Sequence, residues 1–324
     1  MPAWSRRFGG RAVSWALAAI LGASLVELSA CSPAPPAPAV ETVRADGFPR
    51  TVTDGAGRSI RLATRPVRIV SQALASDEML FPMIAPERLV GLSALSRDPK
   101  YSNVLAEATR HPAPSIDSPE DIVRLRPDLI FVTTYSRAEM VEVLEASGAP
   151  VYRLANFDSV DGVVTNLRRL GAAVGEEAAA ERMVGEMQRR LAAVATRRAG
   201  RPQMRVLSFS GGFTAGRGTS FDDIVRRAGG INEAAARGLE KFPRLSEEQV
   251  LAWNPDVLVA GVLPGEAETV RSRLLNGPGT GQTTAGRRNQ IVLFETRHLL
   301  AVSQHVVDAV EQLADSLDAF QAAR

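Results

Sequence analysis

The pattern of apolar and polar positions between residues 48 and 320 predicts an α/β protein. Two alternating runs flank a glycine-bearing turn within residues 51–62, which predicts a β-hairpin. A helical pattern follows at 76–84, and the run at 129–132 is apolar on both faces, as in a covered parallel sheet. Short apolar runs predict four strands, at 67–71, 89–92, 129–132 and 150–154. Strands separated by helical stretches indicate α/β units.

The second half of the chain repeats this alternation after a helical stretch. Apolar residues at helical spacing continue up to Gly175, and a longer helix is predicted over 176–198. The chain ends in a predicted amphipathic helix at 306–320, with Ser303 as its N-cap. Three further strands are predicted, at 204–209, 257–260 and 291–294.

A sequence repeat relates the two halves. Residues 118–130 recur as residues 246–258, with serine, glutamate, an apolar pair, proline and aspartate at a constant offset of 128. Each copy predicts a serine-capped short helix, a proline stop and a buried strand. Two such copies imply two lobes of similar construction.

The first thirty residues predict an export signal. Arg6, Arg7 and Arg11 precede an apolar stretch of about 14 residues, shorter than the roughly 20 that span a bilayer. The stretch ends in Leu28-Ser29-Ala30-Cys31, which resembles a bacterial lipobox whose cysteine is acylated. A plain secretory signal with a chance cysteine is the alternative. The predicted divisions are a signal peptide (1–30), a Pro/Ala-rich tether (31–47), an N-terminal lobe (48–160), linking helices (161–200) and a C-terminal lobe (201–324).

Composition excludes several classes of site. Cys31 is the single cysteine, so a lipidated chain would have no thiol for disulfides, nucleophilic catalysis or thiolate metal sites. A formal net charge of +2 gives no indication of nucleic-acid binding. The three histidines, His111, His298 and His305, are dispersed, and the glycine-rich segment 211–219 lacks the ending of a nucleotide loop. No nucleophile–base pair is visible, so we expect neither an enzyme nor a resident cofactor or metal.

Several motifs follow one another in order along the chain: Arg68-Ile69-Val70-Ser71 before Asp77-Glu78-Met79-Leu80, Val90-Gly91-Leu92-Ser93, the two Pro-Asp motifs, the long linking helix and Ala228-Gly229-Gly230-Ile231-Asn232. Together they resemble the iron-complex and vitamin-B12-type periplasmic binding proteins of ABC importers. The resemblance implies two α/β lobes with parallel-type sheets joined by a long rigid helix, as in class III binding proteins. It also implies a monomer that carries a small chelate in the cleft between the lobes and delivers it to a permease and its ATPase.

The resemblance extends to two glutamates. Members of the family dock onto permease arginines with one glutamate on each lobe, and Glu120 and Glu248 occupy the matching positions of the repeat. Either carboxylate could instead only complement the N-terminus of its helix, worth about 0.3–1 kcal/mol. A lipid-anchored sensor or carrier without a permease is the alternative function.

Ligand contacts are expected in the loops at the carboxyl ends of the strands. Arginines there could pair with carboxylates, tyrosines could bind iron or stack on a flat ring, and a histidine could coordinate a metal centre. The candidates are Arg97, Tyr101, Tyr135, Arg217, Arg297 and His298. Leu95 stands where the B12 binder has a tyrosine, so a ferric siderophore is the expected ligand, ahead of haem or cobalamin.

Overall fold

A computed structural model describes residues 47–116 and 118–323 and shows two parallel sheets with helices around them. The predicted signal peptide, Cys31 and nearly all of the tether lie outside the described residues. The sheets use residues 69–154 and 205–295, and the described residues cluster as one compact unit. The limits of the predicted lobes stay a prediction. Within the described residues, no helix has the length and apolar character needed to cross a bilayer.

The strands form an antiparallel hairpin, a five-stranded sheet of order β5-β4-β3-β6-β7 and a four-stranded sheet of order β11-β10-β8-β9. Neighbours in both larger sheets pair in parallel. The central strands are buried on both faces, as expected for parallel sheets covered by helices. The strands are β1 (Arg50–Thr53), β2 (Ser59–Leu62), β3 (Ile69–Ser71), β4 (Leu89–Ser93), β5 (Ser115–Ile116), β6 (Leu129–Thr133), β7 (Val151–Leu154), β8 (Arg205–Ser208), β9 (Ile231–Asn232), β10 (Val257–Val262) and β11 (Ile291–Glu295).

Helices precede or follow almost every strand. Three segments are 3-10 turns, at Pro86–Arg88, Ala94–Arg97 and Thr280–Gln282. The α-helices are α1 (Leu74–Leu80), α2 (Leu105–Arg110), α3 (Pro119–Arg124), α4 (Ala138–Ala146), α5 (Val160–Val174), α6 (Glu177–Arg198), α7 (Ser220–Arg227), α8 (Glu233–Ala236), α9 (Glu247–Trp253), α10 (Ala267–Asn276), α11 (Thr284–Arg287), α12 (Thr296–Leu299) and α13 (Val306–Ala322).

Most elements lie where the apolar pattern places them, with three differences. Helix α1 begins two residues before the predicted start and ends at Leu80, because the chain turns before 84. Strand β5 has only two residues, too few for a recognisable pattern. The prediction that Ser303 caps α13 is wrong: His305 holds that position, and the Ser303 hydroxyl donates a hydrogen bond to Glu78 instead.

The repeated motif folds in the same way in both halves. Ser118 and Ser246 cap α3 and α9, since each hydroxyl accepts the backbone N–H three residues on. A residue with φ of 47° stands immediately before each proline: Arg126, two residues after α3, and Asn254, directly after α9. This left-handed turn redirects the chain from the helix into a buried strand.

In each copy of the repeated motif, hydrogen bonds between an aspartate and an arginine connect the motif to a neighbouring strand, β3 or β8. The Asp128 carboxylate accepts the Arg68 N–H at 2.9 Å, and the Arg68 guanidinium donates to the carbonyls of Leu125 and Arg126, just after α3. In the second sheet Asp256 accepts the Arg205 N–H at 2.9 Å, and Arg205 donates to the carbonyl of Asn254. The orphan carbonyls at the end of each helix are thereby satisfied. The repeat seen in the sequence is therefore a repeat of tertiary contacts as well.

The two helices α5 and α6 connect the sheets. Gly175 ends α5, as predicted, and takes the left-handed conformation. The C-terminal helix α13 packs along α6, where Arg190 pairs with Asp308 at 2.6 Å and Arg198 pairs with Asp318 at 2.6 Å. These ion pairs fix α6, the longer connecting helix, to the last helix of the fold.

Candidate functional site

A cavity of about 550 Å³ lies at the carboxyl end of the five-stranded sheet. Residues at or just after the end of each of its five strands line the cavity, as the parallel topology requires. They are Gln72 after β3, Ser93 to Leu95 at β4, Ile116 of β5, Thr133 and Tyr135 at β6, and Phe157 after β7. The Tyr135 and Phe157 rings lie 5.9 Å apart and form an aromatic wall.

A second cavity, of about 170 Å³, lies at the carboxyl end of the four-stranded sheet. Ser208 ends β8, residues 259–261 belong to β10, and Leu299 and Leu300 follow β11. Phe213 and Phe242 supply its aromatic surface, and the Arg244 guanidinium lies 4.9 Å from the Phe213 ring centre. The second sheet thus offers a wall of the same kind as the first.

One short segment joins the two cavities. Leu299 and Leu300 line the second cavity, and Val302 lines the first. The following residue, Ser303, is buried and donates its hydroxyl hydrogen bond to the Glu78 carboxylate of α1. Residues 299–302 therefore contribute to both cavities, and we call the space that the two cavities border the cleft.

Glu78 is the centre of the junction beside this cleft. Its Oε1 accepts the backbone and side-chain N–H groups of Asn103, at 2.9 and 3.0 Å, and its carbonyl accepts Gln304 Nε2 at 2.7 Å. Asn103 also donates to the carbonyl of Arg297 at 2.9 Å. A fully buried carboxylate is tolerated only with such partners. The junction therefore holds the two sheets by polar bonds rather than by apolar contact alone.

The neighbouring Asp77 is also fully buried and contacts Ser93, which lines the first cavity. Its Oδ2 accepts the Ser93 N–H at 3.2 Å. Burial raises the pKa of Asp77 well above its usual value, and hydrogen bonds from Ser71 and Ser93 only partly oppose that effect. The Asp77 side chain therefore keeps its proton to a higher pH than an aspartic acid side chain in water does.

The side chains that line the two cavities are mainly apolar or uncharged polar groups. Hydroxyls and an amide come from Gln72, Ser93, Thr133, Ser136, Ser208, Ser210, Thr214 and Ser220. Arg137 is the one basic residue in the two linings, which contain no histidine, aspartate or glutamate. Across the described residues, no group of three or more potential His, Cys, Asp or Glu metal ligands occurs. The walls suit a ligand that is bound by ring stacking and neutral hydrogen bonds.

Of the six predicted ligand residues, Tyr135 lines one of these cavities and is 75% exposed. Arg97 lies outside both linings, because its guanidinium holds the segment after α2 together. It donates to the carbonyls of Ala108, His111 and Ala113 and to the Ser115 hydroxyl, at 2.7 to 2.9 Å. The structure gives Arg97 a role in positioning the loop.

The other four predicted residues lie outside the two linings as well. Tyr101 is partly exposed after the turn at 94–97, and His298 is half-buried in α12. Arg217 pairs through its backbone with Leu239, and Arg297 forms an ion pair with Glu295 at 2.6 Å. Their contact with a ligand stays a prediction.

Phe242 has no counterpart among the predicted residues. It is 65% exposed in a segment, 239–244, that pairs with residues 212–217 through backbone bonds such as Gly216 N–H to the Lys241 carbonyl at 2.8 Å. Lys241 takes a φ of 56° and reaches Asp158 at 3.0 Å. Only these long-range pairings bring Phe242 to the cleft, although its exposed Phe-Pro context in a polar stretch was a usable signal.

Glu120 and Glu248 both lie exposed in the first turns of α3 and α9. Hydrogen bonds from Ser246 and from the helix backbone lower the pKa of Glu248. The adjacent Glu247 has a different role, since its Oε2 accepts the N–H groups of Gly279 and Thr280 at 2.9 and 2.6 Å. Glu248 is therefore the member of this acidic pair that is available to a partner.

Comparison with known families assigns this architecture. A model described as "Periplasmic binding protein" matches residues 69–297. The chain belongs to the periplasmic binding protein family. The predicted family and the α/β class with parallel sheets, as in class III binding proteins, are thereby confirmed.

This periplasmic binding protein is similar to proteins of known name over most of its length. It is 27% identical to the cobalamin-binding protein of Halobacterium salinarum strain R1, across 95% of this chain and 84% of that protein. It is 21% identical to the uncharacterized ABC transporter substrate-binding lipoprotein YvrC of Bacillus subtilis, across 95% and 97% of the two chains. The apo periplasmic heme-binding protein RhuT from Roseiflexus sp. RS-1 superposes with a TM-score of 0.67 and 28% identity, over 79% of this chain and 99% of that one.

Proposed function

We propose that this periplasmic binding protein captures a cobalamin-type corrinoid between the two cavity walls and delivers it to an ABC importer. The observation that carries the proposal is the chemistry of those walls: aromatic and aliphatic surface with neutral hydrogen-bonding groups on both sheets. The name of the Halobacterium relative supports the same ligand class.

A corrinoid matches these walls because its metal is already coordinated and its rim carries amides. Amides exchange hydrogen bonds with serine, threonine and glutamine side chains without an opposite charge. The apolar parts of the macrocycle and of its axial base can pack on Tyr135 and Phe242. A ligand of this kind needs no protein group at its metal.

The other two ligand classes fit less well. The carboxylates of haem or of an anionic ferric siderophore call for cations, and Arg137 is the one basic residue in the two linings. Leu95, which the sequence sets against cobalamin, is exposed at the first cavity and gives apolar surface there, while Tyr135 supplies the aromatic ring. We therefore place cobalamin ahead of the siderophore expected from the sequence.

A competition experiment tests the ligand class. The purified protein is titrated with cyanocobalamin, ferric hydroxamate, ferric catecholate and haem, with binding followed by calorimetry. We expect submicromolar affinity for cyanocobalamin and at least a hundredfold weaker binding of the others. Tighter binding of haem or of a ferric siderophore would overturn the proposed substrate.

Glu120 and Glu248 are proposed as the carboxylates that dock onto basic residues of the permease. Their exposure on two equivalent helices supports this role. Charge reversal of both, Glu120→Lys with Glu248→Lys, is expected to leave ligand affinity unchanged and to abolish uptake by cells. Unchanged uptake would favour the alternative of a sensor or carrier that needs no permease.

Cys31 is proposed as the site of lipid attachment, which would hold the exported protein at the cell envelope. The lipobox-like Leu28-Ser29-Ala30-Cys31 and the relative named as a lipoprotein support it. In cells fed radiolabelled palmitate, the wild-type protein should carry label and Cys31→Ser should not. Equal labelling of the two proteins would exclude this attachment site.

A further inference from the structure

The two repeated helices expose an apolar side chain at the same position. Val123 of α3 is 39% exposed and Leu251 of α9 is 42% exposed, and they are related by the offset of 128 residues that relates Glu120 to Glu248. Each lies three residues after its glutamate, so carboxylate and apolar side chain share one face of the helix. Both helices therefore present the same pair of groups.

Five of the ten exposed large apolar side chains in the described part of the chain line the two cavities: Leu95, Tyr135, Phe213, Phe242 and Leu300. Val67, Tyr101 and Val143 are exposed elsewhere. Val123 and Leu251 line neither of these two cavities, and they are the exposed pair that the repeat relates. Val123 also borders a separate surface cavity of about 550 Å³, with Arg61 and Pro127. Ligand binding in the cleft does not explain why the exposed apolar residue recurs at equivalent positions.

The helices that carry Val123 and Leu251 are held in place by buried neighbours and by hydrogen bonds at both ends. The residue before each of these side chains, Ile122 in α3 and Val250 in α9, is fully buried and packs its helix against the sheet. Serine caps hold the N-terminal ends, and the guanidinium groups of Arg68 and Arg205 hold the C-terminal ends. A partner would therefore meet pre-ordered groups and would lose little conformational freedom on binding.

We propose that Val123 and Leu251 are paired contact residues for a partner with two equivalent halves, each with an apolar recess beside a basic side chain. Charge complementarity to Glu120 and Glu248 specifies the basic group, and the equivalence of the two faces specifies the two-fold partner. The inference rests on the proposed function, because the membrane permease of an importer is that partner. The apolar residues exclude water at the contact and strengthen the charge pairing next to them.

Aspartate substitutions test the pair. Val123→Asp, Leu251→Asp and the double variant are compared with Val143→Asp, a valine of α4 that is 44% exposed and lies outside the repeat. In cells that carry each variant as their only copy, uptake of radiolabelled cyanocobalamin should fall at least tenfold, and similarly, for each single variant, and disappear for the double. Cyanocobalamin affinity and the thermal midpoint of the purified variants should match those of Val143→Asp.

A second readout separates this inference from the proposed ligand. With the photocrosslinker benzoylphenylalanine at position 123, 251 or 143 of the full chain in cells, positions 123 and 251 should both capture one and the same polytopic membrane protein, and position 143 should not. This readout holds whether or not cyanocobalamin is the ligand. Capture at neither position, capture of different proteins at the two, or an uptake loss confined to one of them would overturn the paired contact.

Discussion

At the residue scale, burial changes the pKa of Asp77 and makes the stability of the protein depend on pH. Asp77 is fully buried in α1 beside Glu78, and its pKa is raised well above the usual 3.8. Between pH 3.8 and the raised pKa, the unfolded chain has released its proton while the folded protein still holds it. The free energy of unfolding therefore falls as pH rises through this window.

Asp77→Asn should remove this pH dependence, because an amide keeps the acceptor for the Ser93 N–H and has no proton to release. Relative to the wild type, the free energy of unfolding of the variant should rise by up to about 1.4 kcal/mol per pH unit within the window. Chemical denaturation at several pH values between 4 and 7 measures it. Glu142→Gln, at an exposed position of α4, is the control. A stability difference that is constant across this range would contradict the assignment.

At the element scale, the two repeated helices are followed by left-handed residues with different side-chain roles. Arg126 has a φ of 47° and a side chain without a hydrogen bond to the described residues, while the Asn254 side chain in the same conformation accepts the Thr284 N–H at 2.6 Å. At position 126 the left-handed conformation costs free energy, as it does for non-glycine residues in general. At position 254 the hydrogen bond from Thr284 compensates for that cost.

Glycine substitutions should therefore act in opposite directions. Arg126→Gly relieves the left-handed strain and should raise the free energy of unfolding by about 0.5–1 kcal/mol. Asn254→Gly loses the bond to Thr284 and should lower it by about 1 kcal/mol. The denaturant midpoints of the two variants, each compared with the wild type, measure these changes, and each variant is the control for the other. Changes of the same sign would contradict the account of the two caps.

The elements themselves were largely predictable from the sequence, because their signals are local. Serine caps, proline stops and apolar runs placed α3, α9 and the strands that follow them. The clamp between Arg68 and Asp128 was not predictable, since the two residues lie 60 positions apart and neither has an unusual neighbourhood. Strand β5 was missed because two residues contain no period.

At the scale of the whole molecule, the polar junction at Glu78 joins the two sheets. Ser303→Ala removes a donor to this buried carboxylate and leaves an acceptor without its partner, so the free energy of unfolding should fall by about 1–3 kcal/mol. Ser316→Ala is the matched control, because the Ser316 hydroxyl bonds only within α13, to the Gln312 carbonyl. Denaturant unfolding of both variants measures the difference. An equal loss in the two would show that the junction contributes nothing beyond a local bond.

The candidate site was only partly predictable, for reasons of the same kind. The rule that parallel strands end at a common edge predicted ligand contacts in the loops there, and residues after β3, β4 and β6 line the first cavity. The rule does not say which side chains the loops turn inward. Arg97 bonds to its own loop, and Phe242 reaches the cleft only through pairing with a segment some 25 residues away in the chain.

The central claim is that one ligand is held between aromatic walls contributed by both sheets. Calorimetric titration with cyanocobalamin tests it on the wild type, on Tyr135→Ala in the first wall, on Phe242→Ala in the second and on Val143→Ala as control. We predict one site per chain, affinity weakened at least tenfold by either wall substitution, consistent with about 1.4 kcal/mol or more per lost ring contact, and no change in the control. Absence of binding to the folded wild type, or equal affinity in all four proteins, would contradict the claim.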